Sequence, residues 1–261
     1  MKIAAWNVNS VKARLEHAVK WLQEFEPDVL MLQELKCQTE AFPLSVFEDL
    51  GYNCAVHGQK TYNGVAILSK SPLHDVQVGL PGDDSDDHAR YIEAMCSDVR
   101  LISVYVPNGA DLTSDKFVYK MAFYERLQAR LAELKDLNET VVIGGDFNVA
   151  LRELDCYDPE KSKGRLLCSD PERMALRSLI HTGYTDTFTA LHPSEQLFSW
   201  WDYRAGRWQS NHGFRIDYIF TSPAATDRLK AAGIDPTPRG WDRPSDHTPV
   251  WIDLGEKETC I

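Results

Sequence analysis

The chain has no C-x-x-C pair, no long apolar run and no internal repeat, and each absence closes off a class of protein. Its six cysteines (Cys37, Cys54, Cys96, Cys156, Cys168 and Cys260) are scattered. Zinc sites and secreted disulfide frameworks need paired or densely spaced cysteines, so reduced thiols are expected here, most of them serving as small buried apolar groups. No stretch reaches the ~18 apolar residues of a membrane-spanning helix, and the start Met1-Lys2-Ile3-Ala4-Ala5-Trp6-Asn7 lacks the apolar core of an export signal. A soluble, cytoplasmic protein with no membrane partner is expected. Positive charge is scarce as well: 28 Lys and Arg against 39 Asp and Glu leave a net charge of −11, which excludes a protein coated in positive charge. The excess is uneven, however. Leu151 to Arg215 hold nine basic and nine acidic side chains, so a polyanion can still dock on that face.

What is present is enough for a core. The 261 residues, 43% hydrophobic, suit one large two-sheet domain or two modest ones. The chain is organised around Val141-Val-Ile-Gly-Gly-Asp-Phe-Asn148. Three branched apolar residues read as a buried strand, which stops where two glycines allow a sharp turn. Asp146 and Asn148 then stand at a strand's carboxyl end, where open α/β sheets bind ligands. Taken alone, the same residues also make an ordinary turn. Matching polar residues at three other strand ends favour a site.

Residues Lys2 to Val8 predict a strand ending near Asn7 and Asn9, and Ser10 reads as the N-cap of a helix. In that helix Val11, Leu15, Ala18, Val19, Leu22 and Phe25 share one face, and Pro27 closes it. The strand Val29 to Gln33 is apolar almost throughout, hence buried on both faces, and it delivers Glu34. Lys36 or Lys12 in an ion pair would satisfy that carboxylate; so would a hard divalent cation. A short helix at Pro43 to Leu50 and strands at Tyr52 to His57, Gly64 to Ser69, Val76 to Leu80 and Arg90 to Cys96 follow. The acidic turn Asp83 to Asp87 lacks the glycine and terminal glutamate of an EF-hand and reads as a solvated charge cluster.

Val99 to Val106 is a strong strand carrying Tyr105 next to its end, where packing or a phosphate oxygen would suit the hydroxyl. A helix spans Ser114 to Leu137, with Phe117, Met121, Tyr124, Leu131 and Leu134 on its apolar face. Residues 150 to 168 show neither period and read as an exposed loop with Lys161, Lys163 and Arg165. Ser169 and Glu172 form the capping box of a helix reaching Thr182. The aromatics of Phe198 to Arg204 fit either a core or a platform for nucleic-acid bases. Asp217, inside the strand Phe214 to Phe220, needs a hydrogen-bond partner, and His247 in Ser245-Asp-His247 is a fitting one.

Six stretches, Trp6-Asn-Val-Asn9, Leu32-Gln-Glu34, Tyr105-Val-Pro-Asn-Gly109, Gly145-Asp-Phe-Asn148, Arg215-Ile-Asp217 and Ser245-Asp-His247, occur in an order and spacing that resemble the endonuclease/exonuclease/phosphatase superfamily. Within it they resemble the bacterial exonuclease III type of abasic-site endonuclease, and Arg90-Tyr-Ile-Glu93, Tyr105-Val-Pro-Asn-Gly109 and Trp200-Trp-Asp-Tyr-Arg204 look like the nuclease branch rather than its lipid or inositol relatives. The resemblance covers Lys2 to about Leu254. Two departures stand out, Leu35 where threonine is common and His212 where a basic residue is frequent.

The resemblance implies a DNase I-like four-layer α/β sandwich, two mixed sheets face to face with helices outside, as one domain over residues 1–261. It implies a magnesium- or manganese-dependent phosphodiesterase acting as a monomer on double-stranded DNA with an abasic site or a 3′ end. The residues carried over for a metal are Glu34 first, with Asn7, Asp146, Asn148, Asp246 and His247. For catalysis they are Tyr105, Asp146, Asn148, Asp217 and His247, with Asp146 orienting or deprotonating the attacking water. Arg90, Lys161, Lys163, Arg165, Trp200, Tyr203, Arg204 and Asn211 are the expected DNA contacts, and Trp200 with Phe198 the walls of a lesion pocket. Two other readings compete: a same-fold phosphoesterase acting on a small or lipid phosphoester, and a DNA-binding module without catalysis.

Overall fold

The structure, a computed structural model, describes residues 1–256; Cys260 lies outside the described residues. Twelve strands are present: β1 (Lys2–Asn7), β2 (Val29–Gln33), β3 (Asn53–His57), β4 (Val65–Ser69), β5 (Leu73–Val78), β6 (Tyr91–Cys96), β7 (Val99–Tyr105), β8 (Val141–Asp146), β9 (Thr185–Asp186), β10 (Asp217–Thr221), β11 (Leu229–Ile234) and β12 (Val250–Leu254). They form two six-stranded sheets, ordered β11-β12-β1-β2-β4-β3 and β5-β6-β7-β8-β10-β9. Both are mixed: β1 with β2 and β7 with β8 are parallel pairs among antiparallel ones.

The alternation along each strand explains the layers. Ile3, Ala5, Val29 and Met31 point inward against Ile92, Leu101, Val142 and Ile219 of the facing sheet. Their neighbours Ala4, Trp6, Leu30 and Leu32 point outward under the helix Leu15–Phe25. On the other side, Ile102, Val104 and Ile143 lie under the helices Asp115–Asp136 and Asp170–His181. A strand covered on both faces is apolar along its length, which is the pattern of β2 and β8 up to the polar residue that ends each. The result is the four-layer sandwich the motifs implied.

The two glycines of β8 act differently from the expected turn. The strand runs through them to Asp146. A Cβ on Gly144 would come within 2.5 Å of the Met31 methyl across the sandwich, and one on Gly145, at φ +147°, within 2.0 Å of the Val104 carbonyl oxygen. A side chain at 144 would push the sheets apart, and one at 145 would push β8 off its neighbour β7, both beside Asp146.

Several local expectations shift. Ser10 does not cap a helix: its N–H donates to Glu34 O (2.8 Å) and that of Val11 to Leu35 O (3.1 Å), and at φ +89° it stands outside the helical region. The helix begins at Leu15 instead. The fifth strand lies at Leu73–Val78 rather than Val76 to Leu80, with an irregularity between His74 and Gln77. In the acidic turn, Asp86 is tied down rather than solvated, accepting bonds from Tyr119 and Arg126. Residues 150 to 168 are only partly a loop. They hold a 3₁₀ turn at Glu153–Asp155 and a helical turn at Pro159–Ser162, and Ala150, Cys156, Leu167 and Cys168 are buried, while Lys161, Lys163 and Arg165 stay exposed. Arg215 anchors this region from below, fully buried with its guanidinium on Asp155 and Asp186.

One residue the hydrophobic period missed is Lys120. It lies on the buried stripe of the long helix, 0% exposed, and pairs with Glu172, also 0% exposed. Its ammonium also donates to Asn148 O (2.7 Å) and Asn108 O (3.1 Å), while Glu172 accepts from Leu167 N (3.1 Å) and Ser169 N (3.1 Å). The pair thus ties the loop after β8 to the start of the capped helix. Lys120→Met would leave a buried carboxylate without its cation, which typically costs about 3–5 kcal/mol. Urea unfolding should show that loss, and the double variant Lys120→Met/Glu172→Gln should recover part of it.

Candidate active site

Strand register brings the polar residues to one end of the sandwich. In one sheet Tyr105 is paired with Asp146 and Asp146 with Asp217, so three adjacent strands present a tyrosine and two carboxylates in a row. In the facing sheet Asn7 is paired with Gln33, which sets Glu34 beside it. Asn7 joins the two sheets: its amide donates to Glu34 Oε1 (2.8 Å) and to Asp146 Oδ2 (3.0 Å). Such convergence requires both sheets and cannot be read from either strand alone.

Asp146 is buried and surrounded by donors. Asn148 N–H binds its Oδ1 (2.9 Å) and the Asn148 amide its Oδ2 (3.2 Å). Asn148 adopts φ +51° and is held by its own bonds, donating to Val106 O (2.9 Å) and accepting from Asn108 (2.9 Å). Asn108 was not singled out by sequence, although it stands in the Pro107-Asn-Gly109 turn next to Tyr105. Burial pushes the Asp146 carboxyl up to about 8; the positive His247 opposes this, and the Asp217 and Glu34 charges add to it. Tyr105 is pushed well above the usual phenol range by burial and by the Glu34 and Asp146 charges. The Arg90 guanidinium lies 4.6 Å from the Tyr105 ring centre.

His247 forms the expected couple. Its Nδ1 meets Asp217 Oδ2 at 2.9 Å and Oδ1 at 3.1 Å, and its Nε2 faces Asp146 Oδ2 at 3.7 Å. Burial alone would lower its pKa, but the Asp217 and Asp146 carboxylates outweigh that and raise it to about 10. At neutral pH the ring is therefore an imidazolium, which places an N–H donor at Nε2 directed into the cluster.

The cluster has the chemistry of a cation site. Glu34, Asp146 and His247 offer atoms within 4.8 Å of one another, and the carboxylate and amide oxygens of Glu34, Asp146, Asn7 and Asn148 are donors that hard divalent ions prefer. Part of Glu34 is already used, since Lys36 Nζ sits 2.9 Å from its Oε2. Asp246, expected among the metal residues, is not brought into this group. Its two oxygens accept from Asn9 (2.8 Å) and Trp200 Nε1 (2.9 Å), so it fixes the indole instead.

Two cavities flank the cluster. One, of 340 Å³, is lined by Tyr157, Leu166, Trp200 and Phe214, with Lys161, Arg165 and Arg207 at its rim. The other, of 730 Å³, reaches from Glu34 and Tyr105 past Lys36, Arg90 and Lys116 to Tyr62. Cations thus line both cavities in a protein of net charge −11. Phe198 is not a wall of the first cavity. It turns away to pack on Trp201 (6.3 Å between rings), and Phe214 takes the place beside Trp200 (5.9 Å). Asn211 also faces away, accepting from Trp201 Nε1 (3.1 Å) and lining the separate Phe198 cavity. His212 does line the first cavity, stacked on Tyr157 at 4.5 Å. Arg204 is exposed and paired with Asp202, and Tyr203 is bonded to Asn9 and Pro244. Lys163 is exposed.

Comparison with known proteins agrees with this geometry. The Endonuclease/Exonuclease/phosphatase family matches residues 4–247. An exodeoxyribonuclease III of Haemophilus influenzae is 35% identical, covering 97% of this chain and 100% of its own. Among solved structures, the 3′ phosphatase NExo (D146N) from Neisseria, bound to product DNA hairpin, superposes with a TM-score of 0.96 at 41% identity, covering 98% of this chain and 100% of its own. An AP endonuclease from Archaeoglobus fulgidus gives 0.93 at 34% identity, covering 97% and 99%.

Proposed function

The chain belongs to the endonuclease/exonuclease/phosphatase family, and on that premise we propose that it is a DNA-repair phosphodiesterase that cuts the backbone 5′ of abasic sites and trims 3′ ends of duplex DNA. The observation that carries this reading is the Asn7-Glu34-Asp146-Asn148 cluster, faced by the Asp217-held imidazolium of His247 and flanked by cation-bearing cavities. A phosphodiester backbone matches that charge pattern, negative at the centre for a metal and positive along the track. A cytoplasmic monomer is the form we assign it. Among the described residues no helix is long and apolar enough to cross a membrane.

Hydrolysis here needs no covalent nucleophile. A water attacks phosphorus in line while the bond to the 3′-oxygen breaks, and one proton passes from the water to a base. Asp146, with a raised pKa and two bonds from Asn148 fixing its direction, is the group placed to orient that water and take the proton. His247 Nε2–H is a charged donor for a nonbridging oxygen as negative charge builds there. Tyr105 donates to the phosphate, and Arg90 steadies its ring. Magnesium or manganese, held by Glu34 with Asn7, Asp146 and Asn148 around it, would supply charge neutralisation to the phosphate and the leaving oxygen. Trp200, locked by Asp246, and Phe214 wall the cavity into which a baseless sugar can rotate.

The reading is tested with a labelled duplex carrying one abasic site and a second with a 3′-phosphate end. With Mg²⁺ the first should be nicked immediately 5′ of the lesion and the second should lose its phosphate; with chelator neither should react. An intact duplex after incubation with folded protein and metal would overturn the assignment.

The raised pKa values give a metal prediction with a definite sign. Asp146 and His247 both bind protons more tightly folded than unfolded, so their contribution to stability is full below their unfolded values and is lost as pH rises through about 8 and about 10. Metal binding requires the ionised carboxylate, so the rise in Tm caused by Mg²⁺ should grow between pH 5.5 and 8.5. An ion at a hundred times its Kd contributes about 2.7 kcal/mol, roughly 5–10 °C for a chain of this length. An equal shift at both pH values, measured by calorimetry, would contradict the placement of the ion against Asp146.

A further inference from the structure

We propose that Cys156 and Cys168 form an oxidant-responsive dithiol, a disulfide-forming site for a peroxide, that covalently closes the cation-bearing segment beside the 340 Å³ cavity. The two sulfurs lie 3.4 Å apart, in hydrogen-bond contact and both buried. They stand at the two ends of the stretch that carries Lys161, Lys163 and Arg165. They share a packed cluster with Ala150, Leu167 and Ile216, against which Leu166, Trp200 and Phe214 rest; those last three also line the cavity. One layer of side chains therefore separates the pair from the candidate lesion pocket. The backbone continues the link, since Cys156 bridges to Phe214, Phe214 to Trp200, and Trp200 to His247.

The surroundings divide the roles. The two thiols share a hydrogen bond that either can donate, but Cys156 Sγ also accepts from Arg173 Nη2 (3.7 Å), and this second donor with the Arg173 charge favours the thiolate there, lowering the Cys156 pKa. The Cys168 thiol is raised by its contact with Cys156 and by burial. Burial pushes Cys54 up to about 12 and raises Cys37 as well, so among the described cysteines with a shift the thiolate is favoured only at Cys156. A thiolate is the nucleophile toward peroxide, and a neighbouring thiol resolves the product. In balanced steps, the Cys156 thiolate attacks one peroxide oxygen, giving a sulfenic acid and hydroxide. Cys168 then attacks that sulfur, the S–S bond forms, and a water leaves. Two thiols are oxidised and one peroxide is reduced to two waters.

The lysines and arginine inside the segment provide the test. Trypsin cleavage after Lys161, Lys163 or Arg165 splits the reduced chain into two pieces. After hydrogen peroxide treatment of the folded protein, the nicked chain should run as one species without reductant and as two with it. Peptide mass mapping should find Cys156 and Cys168 in one linked product two hydrogens lighter than the separate peptides. Cys156→Ala and Cys168→Ala should each abolish the link, and Cys96→Ala should keep it. The mapping on unmodified sequence keeps the test valid if either variant folds poorly. Nicked chains that separate without reductant, or a link that appears only in denaturant, would overturn the proposal.

Discussion

Asp146→Asn is expected to lower kcat for abasic-site cleavage by about 10²–10⁴-fold, the range for losing a general base, while KM for the duplex changes only a few-fold. The asparagine keeps the size of the side chain but only one of its two acceptor oxygens, so it holds either the Asn148 N–H bond at Oδ1 or the Asn7 and Asn148 amide bonds at Oδ2, and it cannot accept a proton. Stability should move the opposite way from activity. Because burial disfavours the Asp146 charge, the neutral amide relieves the metal-free protein at pH 8, and its Tm should equal or exceed that of the parent. Steady-state kinetics together with calorimetry separate the two effects. A variant that keeps more than a tenth of the parent kcat would remove Asp146 from the role of base.

His247→Gln should cost about 10²–10³-fold in kcat, the usual loss for one charged donor to a developing oxyanion. It should also destabilise, since Asp217 is then buried without its cation, by about 3–5 kcal/mol. Adding Asp217→Asn should restore much of the stability and none of the rate, which distinguishes a donor from a structural prop. In the parent the raised pKa keeps the ring charged through neutral pH, so an alkaline fall in rate from this group belongs near pH 10 rather than near 6.5. A rate that instead rises with pH through 6.5, and no longer does so in His247→Gln, would mean the ring acts neutral.

Much of the site was legible because it sits at strand ends marked by short motifs. Asn7, Glu34, Tyr105, Asp146, Asn148, Asp217 and His247 all reach the cluster that the motifs implied: most follow or close an apolar run, Asp217 opens β10, and His247 lies in a short turn. The residues that sequence misplaced or passed over have a different character. Lys120 interrupts an otherwise apolar helical stripe, a visible anomaly, but its partner Glu172 is 52 residues away and reads locally as a helix cap. Asp246 adjoins His247 and carries a carboxylate, so local chemistry makes it a metal candidate. That Asn9 and Trp200 hold its two oxygens is visible only in the folded chain.

The sequence by itself determined most of the strands, though not β9 or β11, together with the long helices, the family motifs and the identity of the groups that can do the chemistry, because period and motif are local properties of the chain. Tertiary structure alone decided which of those groups meet. The Asn7 to Asp146 bond spans 139 residues and depends on two sheets packing at the separation that Gly144 permits. The same packing turned Phe198 and Asn211 away from the cavity and brought Cys156 against Cys168. Side-chain direction is a competition among neighbours that the folded chain supplies, and those neighbours are mostly distant in sequence.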